Sequence, residues 1–147
     1  MKFNFISFRE ILRTLVSLKD TPEKLSLSFA VGLFISLTPF FGIHSISAIF
    51  LSFVFKLNKT ASFLGSWINT PLTMPFVYYI EYEIGSFIFN SHTAFSLTPY
   101  TIAHYLKGGW GIFIMITTGS AIFGSIVSSL FYILLKHILK RKMNVPS

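Results

Sequence analysis

The sequence predicts an all-α integral membrane protein: a broken, re-entrant helical hairpin, then one broken span, then one full C-terminal transmembrane helix. Three observations predict it. Charged residues make up 12% of the chain and apolar residues 52%, with a mean hydropathy of +0.67. A water-facing domain carries about a quarter charged residues, because its surface must interest water. Phe alone occurs 18 times, too often for a wet surface and suited to a lipid-facing one. No Lys, Arg, Asp or Glu occurs from Leu25 to Phe55, from Thr60 to Ile80, or from Ile112 to Leu135. A helix needs about 20 such residues to cross a bilayer.

Residues 1–20 read as an amphipathic interfacial helix. At helical spacing Phe5, Phe8, Ile11, Leu12, Leu15 and Val16 share one face, with Arg9, Glu10 and Arg13 opposite. Such a helix lies in the headgroup layer or packs on the rest of the protein. Residues 21–136 read as a helical membrane domain. Thr21-Pro22-Glu23 opens its first helix, with Thr as N-cap, Pro at the first position and an acid in the first turn. The following apolar run is too long for one span. Thr38-Pro39-Phe40-Phe41-Gly42 interrupts it, because proline removes a backbone donor and glycine frees the chain. Two helices are predicted, roughly 22–37 and 43–55.

Lys56-Leu57-Asn58-Lys59 reads as a basic turn, with Thr60 as the next N-cap. The run after it breaks at Asn69-Thr70-Pro71-Leu72-Thr73-Met74-Pro75, and Phe76 to Phe89 continues as helix with Glu81 and Glu83. The stretch 90–111 reads as looser, with Thr98-Pro99 opening a short helix and Gly108-Gly109 closing it. Residues 112–135 form the full span, and 137–147 a basic cytoplasmic tail. If the hairpin returns to its side of entry, all of the 12 Lys and Arg except Lys107 lie on the cytoplasmic side, as positive-inside orientation requires. The expected location is the bacterial inner membrane, multi-pass, with both termini cytoplasmic.

The residues Gly32-Leu33-Phe34-Ile35-Ser36-Leu37-Thr38-Pro39-Phe40-Phe41-Gly42-Ile43-His44, then Asn58, then Gly65-Ser66-Trp67-Ile68-Asn69-Thr70-Pro71-Leu72-Thr73-Met74-Pro75, resemble the bacterial membrane family known as domain of unknown function 2062. The similarity runs from about Pro22 to the end of the last helix. His44 and Thr70 depart from the family pattern, which has Gln at the first position and Asn at the second. The resemblance implies a bacterial inner-membrane protein and supplies no activity.

The two breaks are the main functional feature. Freed backbone groups are tolerated in a membrane only where protein or water covers them. Half-helices starting near Ile43 and Pro75 would aim partly positive N-termini inward, toward a phosphate or carboxylate. The candidate ligand-binding residues are Thr38, Pro39, Gly42, His44, Asn69, Thr70, Pro71, Thr73 and Glu81. The alternative is a pair of structural kinks satisfied by threonine hydroxyls. Ser120, Gly124 and Ser128, at i, i+4 and i+8, read as a close-packing face for an internal helix or a second subunit. The expected partners are membrane lipids and a second copy or a larger membrane partner. Nucleic acid is not expected, because the +7 charge is spread at the ends of apolar runs. His92 and His104 lack a third ligand, and there is no Cys, so no metal site is expected. There is no GxSxG, HExxH or P-loop motif, so no catalytic residue, cofactor or enzyme activity is expected. The function expected is binding or translocation of an anionic lipid or small solute. The alternative is a non-transporting scaffold for another envelope protein.

Overall fold

A computed structural model of the chain describes residues 8–39, 43–69, 73–90 and 102–143, with side chains from Arg9 and, in the last segment, from Gly109. All the described secondary structure is helical: α1 (Phe8–Ser17), α2 (Pro22–Ser36), α3 (His44–Val54), α4 (Lys59–Ser66), α5 (Met74–Phe89) and α6 (Ile102–Lys142). Among the described residues, one helix is long and apolar enough to cross a membrane, over Gly109–Lys142. The span expected over 60–89, with its break at 69–75, consists of α4 and α5, each too short to cross by itself.

Local chemistry sets the helix ends. Thr21 accepts a hydrogen bond from the Lys24 N–H at 3.3 Å, and Pro22 takes the first position of α2. The cap of α4 is Asn58, whose Oδ1 accepts from the Ala61 N–H at 3.1 Å. Thr60, the expected cap, lies inside the helix. Asparagine wins because its side-chain oxygen reaches back to the first turn from an extended backbone. Asn90 closes α5 in the left-handed conformation, with φ 48°. The expected break at Gly108-Gly109 is overturned, since α6 runs through both glycines and on through the basic residues to Lys142. Two glycines cost a helix only about 1 kcal/mol each, and the apolar run that follows continues the turn.

The helix directions follow from which residues meet. Ser28 faces Asn58 and Ser62, and Ser36 faces Asn69, so α2 and α4 run side by side in the same direction. Between them α3 returns, with Ser45 near Ser66 at one end. At the other end the Asn58 Nδ2 donates to Asp20 Oδ2 at 2.8 Å. That hydrogen bond, with Lys24 alongside, holds the Asp20 carboxyl below its ordinary range. The long α6 runs antiparallel to α2, with Phe131 stacked on Phe29 and the Lys136 ammonium 2.9 Å from Glu23. The earlier part of α6, around Met115 and Gly119, lies beyond the end of α2 and packs on α5.

The helices approach at glycine. A Cβ on Gly32 would strike the Ser62 backbone, and one on Gly65 the Phe29 backbone. The α5–α6 crossing repeats the arrangement, with Gly85 against Met115 and Gly119 against Glu81. Buried positions along these seams are small or hydroxylic: Ser26, Ser28, Ser36, Ser62, Ser66, Ser86 and Ser120. Most of these hydroxyls donate to a carbonyl one turn back in their own helix, as Ser26 does to Pro22 and Ser36 to Leu33. The large side chains point outward, with Phe87 84% and Phe76 72% exposed. Small residues inside and large apolar residues outside is the distribution that lipid selects as solvent.

The packed core of large residues lies at the charged end. Leu15, Leu25, Phe29, Leu135 and Leu139 meet there, together with Ile11 and Leu12 of α1. Ile11, Leu12 and Leu15 of the apolar face of α1 are therefore covered by protein, while Arg9 and Arg13 are exposed; Phe5 and the Phe8 side chain lie outside the described residues.

Candidate functional site: the junction of two helix breaks

The ends of α2 and α4 form by the same local chemistry. At the first break the Leu37 N–H reaches the Leu33 and Phe34 carbonyls, both at 3.2 Å, and the Thr38 N–H reaches Ile35 at 3.1 Å. The Thr38 hydroxyl donates to the same Ile35 carbonyl at 2.6 Å. At the second break the Trp67 N–H reaches Leu64 and the Ile68 N–H reaches Gly65, both at 3.3 Å. These are tightened last turns, which satisfy some of the carbonyls and amides that a helix end leaves over.

One side chain joins the two breaks. The Asn69 Nδ2 donates to the Ser36 carbonyl, the last residue of α2, at 2.8 Å. Its Oδ1 accepts from the Thr73 hydroxyl at 3.1 Å, across the second break. Asn69 is buried, so this amide replaces water for a carbonyl in an apolar setting. Ser45, in the first turn of α3, lies with its Oγ 3.4 Å from the Ser66 Oγ. The first turn of α3 is thereby held against the last turn of α4.

Beyond each break a new helix starts without a side-chain cap. Ile43 at the head of α3 has no hydroxyl or amide to offer, and Thr73 at the head of α5 makes no capping bond. Helix N-termini carry partial positive charge and N–H groups directed outward. His44 is the first residue of α3 and half-buried.

Beside the first break lies a groove of about 660 Å³ between α2, α3 and α6. Val31, Phe34 and Leu51 supply its apolar wall, and Thr38, Ser47 and Ser128 supply hydroxyls. The Ser128 Oγ is buried without a hydrogen-bond partner.

Of the residues singled out in the sequence, Thr38 and His44 sit at the first break and Asn69 and Thr73 at the second. Pro39 is half-buried beside Thr38. Gly42, Thr70 and Pro71 lie outside the described residues. Glu81 is not part of the junction: it lies two turns along α5, buried against Gly119 of α6. Ser120 is buried, and Gly124 packs on Phe34 and Leu37 of α2, so this face meets an internal helix. Among the described residues no three His, Cys, Asp or Glu gather as a metal ion would require.

Sequence reasoning missed Ser36, Ser45 and Ser66, and the glycine seam between α2 and α4. The signal was available: Ser28, Gly32 and Ser36 repeat the i, i+4, i+8 spacing read only in α6. Ser62 and Ser66 repeat it in α4.

A family model described as an uncharacterized protein conserved in bacteria (DUF2062) matches residues 6–145. No curated protein and no solved structure matches.

Proposed function

The chain belongs to this family of uncharacterized proteins conserved in bacteria, and from that premise we propose a multi-pass protein of the inner membrane. It binds and translocates an anionic lipid or small anionic solute at the junction of its two helix breaks. The observation that carries the reading is the meeting of the breaks through Asn69, with the heads of α3 and α5 beside it. Two sets of helix N–H groups and His44 would offer an anion several donors in a low-dielectric setting. The groove under Thr38 would take an acyl chain.

In this reading α2 and α3 form a re-entrant hairpin, α4 and α5 cross as one broken span, and α6 returns. The Asn58–Asp20 hydrogen bond supports it, because it brings the end of the hairpin back to its beginning. Lys56 and Lys59 then share an end with Lys136 and Lys140, which pair with Glu23, so positive charge collects on the cytoplasmic side. Cysteines replacing Lys59 and Lys142 resist an impermeant maleimide in intact cells, while one replacing Thr98 reacts. Labelling of Lys59→Cys from outside overturns the hairpin.

Binding is tested by native mass spectrometry of the detergent-purified protein. Phosphatidylglycerol is retained over phosphatidylcholine, and inorganic phosphate competes only if the headgroup alone is recognised. His44→Ala weakens retention roughly tenfold, the loss of one hydrogen bond to a charged group. Equal retention of the two lipids by the wild type counts against the reading. The scaffold reading then takes its place, favoured by the exposed outer face of α6 at Ile126, Leu130 and Ile133.

A further inference from the structure

The α5–α6 crossing contains a group that the junction does not use. Glu81 is 0% exposed, and neither carboxylate oxygen has a hydrogen-bond partner. Its backbone lies against Gly119, where a side chain on α6 would collide. That contact draws the helices together and leaves no room for water at this level. The titratable and charged groups around it are few. On α5, Tyr78 is near enough to interact electrostatically, and Glu83 is exposed. On α6, no titratable residue occurs from Gly109 to Phe131. The Lys and Arg of α6 nearest Gly119 along the chain are Lys107, about 18 Å before it, and Lys136, about 25 Å after it.

A carboxylate without water, donor or countercharge is far more costly to bury than a neutral acid. We propose that Glu81 is an intramembrane proton-binding site, holding its carboxyl as the neutral acid while α5 and α6 are closed. Release of the proton leaves a charge that the closed crossing cannot solvate, so α5 must shift away from Gly119 or admit water. Because α5 begins at Thr73, such a shift is felt at the junction. The proton site stands whether or not the junction binds an anion.

The test is infrared spectroscopy of the full chain in lipid at neutral pH. The wild type shows the carbonyl stretch of a protonated carboxylic acid, and Glu81→Gln lacks it. Assignment is direct because the chain has 5 acidic residues. Glu10, Glu23 and Glu83 are exposed and Asp20 is paired with Lys24 and Asn58, so the difference between the wild-type and Glu81→Gln spectra isolates the one buried carboxyl. Glu81→Gln, which mimics the neutral acid, melts as the wild type does. Absence of the band from the wild type overturns the proposal. So does a wild type whose melting temperature rises with added sodium or potassium while that of Glu81→Gln does not, since the site is then a carboxylate holding a metal cation.

Discussion

Gly65→Leu prevents α2 and α4 from packing. A Cβ at this position meets the Phe29 carbonyl and the Leu33 N–H, which belong to backbone and cannot rotate away. Overpacking a core against flexible side chains costs about 1–3 kcal/mol. Here the helices must separate, so the cost exceeds that range and takes a large share of the roughly 5–15 kcal/mol that holds a domain together. Separation also breaks the Ser62–Ser28 and Asn58–Ser28 hydrogen bonds along the same seam. Even Gly65→Ala carries most of the penalty, because the first carbon is the one that collides. Gly124→Ala is the contrast. Its new carbon would sit 3.2 Å from the Phe34 ring, which can turn aside, at a cost of about 1 kcal/mol or less. Thermal unfolding in detergent, followed by the fluorescence of Trp67 beside the seam, reads both. A Gly65→Leu protein that melts as the wild type does would show that α2 and α4 are not in backbone contact.

The second large effect is at Asn69. Asn69→Leu removes a hydrogen bond to the Ser36 carbonyl and one from the Thr73 hydroxyl. It leaves that carbonyl unpaired in a site sealed from water. Two such bonds contribute about 1 kcal/mol each, and an orphaned buried acceptor adds about 1–3 kcal/mol. The expected loss is about 3 kcal/mol, with the two breaks released from each other. Separation has its own readout in the neighbouring pair, Ser45 and Ser66, whose oxygens are 3.4 Å apart. With Ser45→Cys and Ser66→Cys, a disulfide forms readily when Asn69 is present and slowly in Asn69→Leu. Asn69→Asp does not rescue it, because a carboxylate has no hydrogen to give the Ser36 carbonyl. Equal crosslinking in all three backgrounds would mean that the breaks are held together by something else.

These residues show how far the chain could be read before its tertiary structure. Pro22, Pro39 and Pro75 act on their own backbone, so the start of α2 and the two interruptions were legible one residue at a time. Asn69 was marked as a candidate because it stands in a break, and its partner was not legible. Ser36 meets it through a main-chain carbonyl, which every residue has, so the Ser28, Gly32, Ser36 spacing marks the seam without marking this bond. Glu81 was marked as a candidate because a carboxylate within an apolar run is a functional candidate by its chemistry alone. Two turns of helix carry it about 10 Å farther on, to a different neighbour.

Composition, helix signals and charge placement by themselves determined that the chain is helical, where the two proline interruptions fall and which runs are apolar. Each of those follows from local backbone geometry or from transfer of side chains out of water, and both are properties of short segments. Only the tertiary structure decided which helices touch, that α2 and α4 lie parallel, that Asn69 joins the breaks and that Glu81 stands apart in the α5–α6 crossing. Those contacts are fixed where two backbones come close enough to exclude a Cβ, and a glycine or serine names such a place without naming its partner.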